Sequence, residues 1–554
     1  MKIAIAQINP RIGDIAANAA KIEAFARKAE TLGAELVVFP ELALTGYPPL
    51  DLLERSDFIQ ENLAALGRLA DLRLGVALAV GYVDINPGKK GKGLLNSIAV
   101  LSGGQVIQKR AKSLLPVYDI FDESRYFEPG GSNRPFKFRG ETIGLTVCED
   151  IWAETDLLPK RFLYKNNPVD TLRAGKTSIV INISASPFYK GKSARRRKIL
   201  AGLAKKMRAF IIYANQTGAN DELIFDGNSF ALAPSGRLAG KAAAFEEDLL
   251  LVDTRTARPD SGPRSQDASG EIAAALTLGI KDYFRKLGFK KAVLGLSGGI
   301  DSAVVAALAA GALGPENVTG VLMPSVYTAQ QSVDDALALA ANLGIETKII
   351  PIKGIYASYL NILGGKNLGE GTIPADGVTL TMQNLQARIR GTILMALANT
   401  NNWLALTTGN KSEIALGYCT LYGDTAGAIA PISDLLKTEV YRLAGRINQD
   451  KELIPRAIIE RPPTAELKPG QKDQDDLPPY ETLDAVIRLY MEEGLTPRQI
   501  IKKGHKTELV LSILRRIEAN EYKRKQLPIG LKVTEKSFGY GRKMPIVKDL
   551  GYLK

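Results

Sequence analysis

Leu294-Gly-Leu-Ser-Gly-Gly-Ile-Asp-Ser302 lies where the apolar run Ala292–Leu296 gives way to an Ala-rich stretch, Ser302–Ala312. The first segment reads as a strand and the second as a helix, so the glycines fall in the turn between them. Gly298 and Gly299 let a ligand approach the backbone, Ser297 and Ser302 carry hydroxyls, and the helix N-terminus aims unpaired N–H groups at an anion. The loop has no lysine, which excludes the GxxxxGK[ST] pattern, and its spacing also fails GxGxxG. A glycine turn before a helix is the plain alternative. Outward from this loop, a helix over Glu271–Leu287 precedes the first strand. Strand Val318–Met323, helix Ser332–Leu343 and strand Thr347–Ile352 follow it. Strands alternating with helices over short connections predict an α/β fold with a parallel, doubly wound sheet.

The first half has a different rhythm. Ile3, Ile5 and Gln7 open a strand, Ala16–Leu32 is helical, and Glu35–Phe39 is a second strand that delivers Glu41 after Pro40. Further strands are expected at Gly75–Tyr82, Leu95–Leu101, Ile143–Val147, Ser178–Ile183, Phe210–Ala214 and Ser229–Ala233. Helices separate only some of them, which fits a two-sheet α-β-β-α sandwich. The composition shift between Asp253 and Gly270 marks a linker, giving domains 1–252 and 271–554 around the segment 253–270. Gly364–Gly377 and Arg461–Pro479 are rich in Gly, Pro and charge and read as long functional loops.

Composition removes several chemistries. The 554 residues include two cysteines, Cys148 and Cys419, with no CxxC near either, so a structural zinc site and a disulfide framework are not expected. The single histidine, His505, leaves little room for Ser-His-Asp or Cys-His catalysis, and points to carboxylates, lysine and thiolate instead. No secretory leader and no apolar run long enough to span a bilayer are visible, so a cytoplasmic protein without a membrane partner is expected. The formal charge of +13 is compatible with nucleic acid, acidic lipid or a phosphate-rich ligand. Residues 501–554 alone hold 14 Lys+Arg against 5 Asp+Glu, a local excess of +9.

The Ser-Gly-Gly-x-Asp-Ser pattern resembles the pyrophosphate loop of the ATP pyrophosphatases, which release pyrophosphate while adenylating a substrate. The resemblance implies that Gly295, Leu296, Ser297, Gly298, Gly299, Ile300, Asp301 and Ser302 bind ATP, with Asp301 as a natural Mg²⁺ ligand. Downstream, Asn384-Leu-Gln-Ala-Arg-Ile-Arg390, Thr407-Thr-Gly-Asn-Lys-Ser-Glu413, Tyr422-Gly-Asp424 and Lys437 resemble the ordered blocks of the NAD synthetases. That family implies ATP contacts for Thr408 and Lys437, deamido-NAD contacts for Asn384, and a metal or dinucleotide role for Glu413. Without its neighbours, Glu413 would read as a solvated helix carboxylate. Glu521-Tyr-Lys-Arg-Lys-Gln-Leu-Pro528 resembles a segment near the end of the glutamine-dependent members, and implies a deamido-NAD contact for Lys523; a basic surface helix is the alternative. Leu421–Ala430 departs from the stand-alone, ammonia-dependent members, and no ligand roles are assigned there.

Before the linker, Phe39-Pro-Glu41 places a carboxylate at a strand end, Lys112-Ser-Leu-Leu-Pro116 supplies an ammonium, and Ile143-Gly-Leu-Thr-Val-Cys148 ends a strand on a thiol. Taken singly, Cys148 reads as a small buried apolar residue. Together the three resemble the Glu-Lys-Cys triad of the nitrilase, or carbon–nitrogen hydrolase, superfamily. The resemblance implies Glu41 as general base, Cys148 as nucleophile and Lys112 as stabiliser of the oxyanion and thiolate. Glu123 matches a second carboxylate that orients the lysine or the substrate. By the same resemblance Tyr118, Ser184 and Lys190 would contact glutamine. Lys190 also opens a basic run to Lys198 through Arg195, Arg196 and Arg197, which charge alone assigns to a solvated face.

The two resemblances cover the whole chain and together match the glutamine-dependent NAD⁺ synthetases. They imply that glutamine is hydrolysed to glutamate and ammonia, that ATP with Mg²⁺ adenylates deamido-NAD, and that ammonia displaces AMP to form NAD⁺. A homo-oligomer without a nucleic-acid partner is expected. The alternative is a tRNA-modifying ATP pyrophosphatase, which would explain the positive charge; thiolating versions use paired cysteines, however, and the basic runs here carry few interleaved aromatics. An N-terminal-nucleophile glutaminase would need Cys at position 2, where Lys2 stands.

Overall fold

A computed structural model describes residues 1–152, 164, 166–256, 267–364 and 378–553. Residues 365–377 of the expected loop Gly364–Gly377 and the centre of the expected linker, 257–266, lie outside the described residues. The chain divides into two units, Met1–Ser265 and Gln266–Lys554.

The first unit carries strands β1 (Lys2–Gln7), β2 (Leu36–Val38), β3 (Ala77–Ile85), β4 (Leu94–Ser102), β5 (Gln105–Ala111), β6 (Phe136–Phe138) and β7 (Glu141–Val147). It continues with β8 (Ile179–Ser184), β9 (Phe210–Asn215), β10 (Thr217–Asn220), β11 (Leu223–Asp226), β12 (Phe230–Leu232), β13 (Leu238–Lys241) and β14 (Asp248–Asp253). One sheet has the order β14-β1-β2-β3-β4-β5 and the other β13-β12-β9-β8-β7-β6. Their facing sides pack Ile3, Ile5, Val38, Ala79 and Val100 against Leu145, Val147, Ile181, Ile183 and Ile212. Alternation along each strand sends the other residues outward: Ala4 and Ala6 join the core under helices Ile15–Thr31 and Ser56–Asp71, while Val180 and Ile211 pack under Lys192–Met207. This is the expected α-β-β-α sandwich. The central strands of both sheets are parallel, β1–β2–β3 and β7–β8–β9, so the ends of β2, β7 and β8 bring their following residues to one edge of the sandwich.

The second unit contains β15 (Ala292–Gly295), β16 (Val318–Leu322), β17 (Glu346–Ile349), β18 (Leu404–Leu406), β19 (Ile429–Ala430) and β20 (Ile529–Gly530) in the order β17-β16-β15-β18-β19-β20. Every pairing is parallel. The chain runs outward from β15 to β16 and β17, then returns to the other side of β15 as β18. Beyond the carboxyl end of β15 lies the switch point at which open α/β sheets bind ligands. Helices Tyr480–Met491 and Thr507–Ala519 pack a separate apolar cluster around Leu483, Ile487, Ile513 and Ile517. Among the described residues, no helix is long and apolar enough to cross a membrane.

Candidate active sites

In the first unit, Lys112 and Cys148 follow directly on the ends of β5 and β7, and Glu41 lies three residues beyond the end of β2. Glu41 is fully buried, and its backbone is seated against β3 at Gly81, where a Cβ would lie 2.3 Å from the Pro40 carbonyl oxygen. Its Oε1 accepts from Asn96 Nδ2 at 2.7 Å and Lys112 Nζ at 2.8 Å, and its Oε2 from the Ala185 amide at 2.9 Å. Lys112 also donates to Glu123 Oε1 at 2.7 Å, which Tyr47 reaches through its hydroxyl at 2.9 Å. The ammonium is thus held between two carboxylates, with the geometry fixed by three other donors.

Cys148 begins a short 3₁₀ turn, Cys148–Ile151, with φ at 41°, a left-handed conformation that side-chain-bearing residues rarely adopt. The turn is tied to the lysine loop by Asp150. Its Oδ1 accepts from the amides of Ser113 and Leu114, both at 2.9 Å, and its Oδ2 from the Val147 amide at 3.0 Å. One buried carboxylate therefore fixes the residues following Lys112 and the residue preceding Cys148. Burial pushes the Asp150 carboxyl up to about 6, against those three N–H donors.

The charges of the centre act on one another. Burial, then the charge of Glu41, pushes the Cys148 thiol well above its ordinary value, with Lys112 opposing. Burial alone would discharge Lys112, yet Glu123 and Glu41 outweigh it and hold the ammonium. Burial pushes Glu123 up to about 7; Lys112 opposes the shift and Glu41 adds to it.

Tyr118 reaches the residue after the thiol: its hydroxyl donates to Glu149 Oε1 at 3.0 Å, an oxygen that Tyr164 also reaches at 2.9 Å. Ser184 is buried at the end of β8, next to the Ile183–Val147 pairing, and donates to Asn182 Oδ1 at 2.7 Å. Lys190 is half-buried in the turn before helix Lys192–Met207. The basic run that it opens is not a uniformly solvated face: Arg197 and Lys198 are exposed, but Arg196 is 1% exposed, because a four-residue period turns Lys192, Arg196 and Leu200 inward.

In the second unit, the loop after β15 turns at Gly298, whose φ is +75° and whose Cβ position would lie 2.3 Å from the Ser332 carbonyl oxygen. Ser302 accepts from the Ser297 amide at 3.3 Å and donates to the Gly299 carbonyl at 3.0 Å, so one hydroxyl closes the loop onto helix Ile300–Leu313. Asp301, in the first turn of that helix, forms an ion pair with Lys437 and accepts from Asn410 Nδ2 at 3.0 Å. Glu413 approaches the same Lys437 Nζ at 3.5 Å. Burial, then Asp301, pushes Glu413 up to about 8.

Asp301, Glu413 and Lys437 line a cavity of about 160 Å³ with Ser297, Gly298, Gly299, Ile300 and Asp473. A neighbouring cavity of about 250 Å³ is lined by Gly295, Leu296, Met323, Arg390, Leu406 and Thr408. Both are walled by Ser297, Ser332, Asp424 and Thr464–Glu466. The segment Arg461–Pro479, expected as a functional loop, accordingly reaches the phosphate loop: Arg461 Nη1 and Glu466 Oε1 both bond to Ser332 Oγ, at 2.9 and 2.6 Å.

Two carboxylates, Asp301 and Glu413, lining one cavity are a donor set that Mg²⁺ accepts when substrate phosphates and water complete its shell. Among the described residues, no group of three His, Cys, Asp or Glu side chains stands ready for a metal. Asn384 accepts from Thr420 Oγ1 at 2.8 Å, and Thr420 lines the larger cavity. Lys523 donates to the carbonyls of Gly417 and Cys419 at 2.7 and 2.8 Å, so it braces the turn leading to Thr420.

Some of these residues had no role in the sequence. Glu149 and Asp150 were visible as acids following the thiol, and Asn96 as a polar residue in an apolar strand. Asn410 and Arg390 sat inside quoted blocks without a role. Asp473 carried no signal beyond its place in a charged loop.

A thiol, a base and an ammonium assembled at a strand edge define an amide hydrolase, and a phosphate loop at a parallel-sheet switch point defines a nucleotide-using synthetase; the chain joins the two. Family models agree: residues 2–260 match carbon-nitrogen hydrolase and residues 272–527 match NAD synthase. The chain is 44% identical over 558 residues to a glutamine-dependent NAD(+) synthetase of Synechocystis sp. and 42% identical over 587 residues to that of Thermotoga maritima, covering 99% of this chain and 98% of the relative in each case. A solved glutamine-dependent NAD⁺ synthetase from Acinetobacter baumannii, in complex with ADP, aligns at 37% identity with a TM-score of 0.77, over 99% of this chain and 98% of that one. Another from Cytophaga hutchinsonii shares the fold at 22% identity and a TM-score of 0.83, with the same coverage. The chain belongs to the glutamine-dependent NAD⁺ synthetase family.

Proposed function

We propose that residues 1–252 hydrolyse glutamine and that residues 271–554 use ATP to adenylate the nicotinate carboxylate of deamido-NAD with release of pyrophosphate, after which the released ammonia amidates the adenylate to NAD⁺ with loss of AMP. The observation that carries this function is the presence in one chain of both centres: Lys112 held between Glu41 and Glu123 near Cys148, and Asp301 paired with Lys437 at the mouth of a phosphate loop.

Glutamine enters beside Cys148 with its side-chain amide carbon facing the thiol. Ser184, Lys190 and Tyr118 bind its polar end, and the Glu149 carboxylate, which two tyrosine hydroxyls already hold in place, suits an α-ammonium. Glu41 takes the Cys148 proton as sulfur attacks, and the charge that develops on the carbonyl oxygen is met by Lys112. Glu41 then protonates the departing ammonia and activates water against the thioester, releasing glutamate. Glu123 keeps the ammonium aimed.

A carboxylate does not become an amide until one oxygen is made a leaving group, and ATP supplies that by adenylation. The loop Ser297–Ser302 holds the phosphates, Thr408 and Lys437 contact ATP, and Asn384, Glu413 and Lys523 serve the dinucleotide side. Mg²⁺, held by Asp301 and Glu413, would neutralise phosphate charge when bound. The enzyme acts in the cytoplasm, where ATP is abundant, as a homo-oligomer.

The test is AMP and NAD⁺ production from ATP, glutamine and deamido-NAD, run beside a reaction with tRNA in place of the dinucleotide. Equal amounts of AMP and NAD⁺ support the function. AMP production that depends on tRNA would favour the tRNA-modifying alternative.

A further inference from the structure

The chain enters helix Lys437–Ile447 with N–H groups that the helical ladder leaves unmet. The Leu436 amide finds Glu439 of the same helix at 3.2 Å, but the next two look to other elements. The Lys437 amide donates to Ser412 Oγ at 2.9 Å, and the Thr438 amide to Asp484 Oδ2 at 2.8 Å. Ser412 Oγ in turn donates to Asp484 Oδ1. One carboxylate, itself only 2% exposed, thus holds both amides, one directly and one through a hydroxyl.

These bonds belong to a closed ring. The Ser412 amide donates to Asn410 Oδ1 at 3.0 Å, Asn410 Nδ2 donates to Asp301 at 3.0 Å, and Asp301 pairs with the Lys437 ammonium. Lys437 is therefore tied to Ser412 twice, through its backbone and through the tip of its side chain. Asp484 also shares a helix face with Tyr480, four residues earlier on Tyr480–Met491. Lys437 Nζ lies over the Tyr480 ring, 5.4 Å from its centroid. The Tyr480 hydroxyl donates at 2.9 Å to Asp473, which lines the cavity of about 160 Å³ at the phosphate loop. One face of one helix grips Lys437 at its start and at its tip.

We propose that Asp484 is a positioning residue of the synthetase centre: through Ser412 and the Thr438 amide it fixes the first turn of helix Lys437–Ile447 and so aims the Lys437 ammonium at the phosphates of ATP. The role rests on the ATP contact proposed for Lys437. A lysine side chain is long and flexible, so a shift of its backbone moves the charge away from its target. Asn384 and Lys523 are held by other bonds, to Thr420 and to the carbonyls of Gly417 and Cys419, so the dinucleotide side does not depend on Asp484. A merely structural cap would lower the amount of active enzyme and leave both Michaelis constants in place.

The experiment is steady-state NAD⁺ formation from ATP, deamido-NAD and an ammonium salt by the full-length chain, which bypasses glutamine hydrolysis. Asp484→Asn keeps the shape of the side chain and removes its charge; the KM for ATP is expected to rise about tenfold, the effect of one hydrogen bond, with the KM for deamido-NAD within about twofold. Ser412→Ala should give a similar rise, and the double variant less than the product of the two, because both hold one helix turn. In a Lys437→Met background Asp484→Asn should change the KM for ATP by less than about twofold, since no ammonium is left to aim. Where Asp484→Asn does not fold, Ser412→Ala, alone and in the Lys437→Met background, carries the test. An unchanged KM for ATP in the single variants, an equal rise in both Michaelis constants, or an undiminished effect without Lys437 would overturn the proposal. A Lys437→Met chain that keeps the wild-type KM for ATP would overturn the ATP contact of Lys437 itself, and the positioning role with it.

Discussion

Lys112 donates to Glu41 at 2.8 Å, and neither side chain is more than 1% exposed. Water does not screen this ion pair, so the buried carboxylate keeps the ammonium charged and fixed in place. Removing one member leaves the other buried and uncompensated, which costs about 3–5 kcal/mol. Variants of the nucleophile are therefore cleaner probes than variants of the pair.

Cys148→Ala is the first such probe. It should lower glutamine-driven NAD⁺ formation by at least about a thousandfold and leave ammonia-driven formation close to wild type, because the phosphate loop and its partners belong to the second unit. Parallel assays with glutamine and with an ammonium salt check this. Loss of both activities in a folded protein would argue against separable centres.

Glu123 makes stability depend on pH. Its carboxyl, raised by burial to about 7, keeps a proton in the folded state that the unfolded chain has already released above the ordinary value of 4.5. The folded state therefore binds more protons between those values, and stability from this group falls as pH rises through that window, by at most about 3 kcal/mol. Glu123→Gln should flatten the decline. Denaturant titrations of wild type and variant from pH 5 to about 7.5 would read the difference; parallel curves would show that Glu123 does not titrate there.

Gly81 decides how close β3 comes to the base. A methyl group there would lie 2.3 Å from the Pro40 carbonyl oxygen and 2.5 Å from the Leu42 amide nitrogen, both backbone atoms flanking Glu41. Gly81→Ala should destabilise the first unit by about 1–3 kcal/mol and depress glutamine hydrolysis more than ammonia-driven synthesis. Equal effects on the two would mean that the displaced segment is not the one carrying the base.

Local pattern carried much of the architecture. The strand and helix around Ser297–Ser302 are marked by apolar runs and glycines, and the ends of β2 and β7 are marked by Glu41 and Cys148 themselves. Pairings between distant residues were not visible, because nothing local encodes them: Asn96 reaches Glu41 across 55 positions and Asn410 reaches Asp301 across 109. Short strands failed for a related reason. β19 and β20 contain two residues each, too few for any period, and form because β18 offers an edge to β19 and β19 in turn offers one to β20. The charge run at Lys190–Lys198 misled because composition counts charge without asking which helix face bears it; Arg196 is buried because Asp226, thirty residues later, neutralises it.

Asp301 provides the complementary probe of the second unit. It pairs with Lys437, accepts from Asn410, and raises Glu413 by its charge, so it links Lys437, Asn410 and Glu413 beside the loop. Asp301→Asn preserves the shape of the side chain and removes its charge. Synthesis should fall by at least about a hundredfold with glutamine or ammonia as nitrogen source, whereas glutamine hydrolysis by the first unit should persist. Chelation of divalent cations should reproduce that pattern in the wild type if Asp301 and Glu413 hold Mg²⁺. Retention of ammonia-driven synthesis in Asp301→Asn would remove Asp301 from the metal and phosphate machinery, and chelator-insensitive AMP release would remove the metal from the reaction.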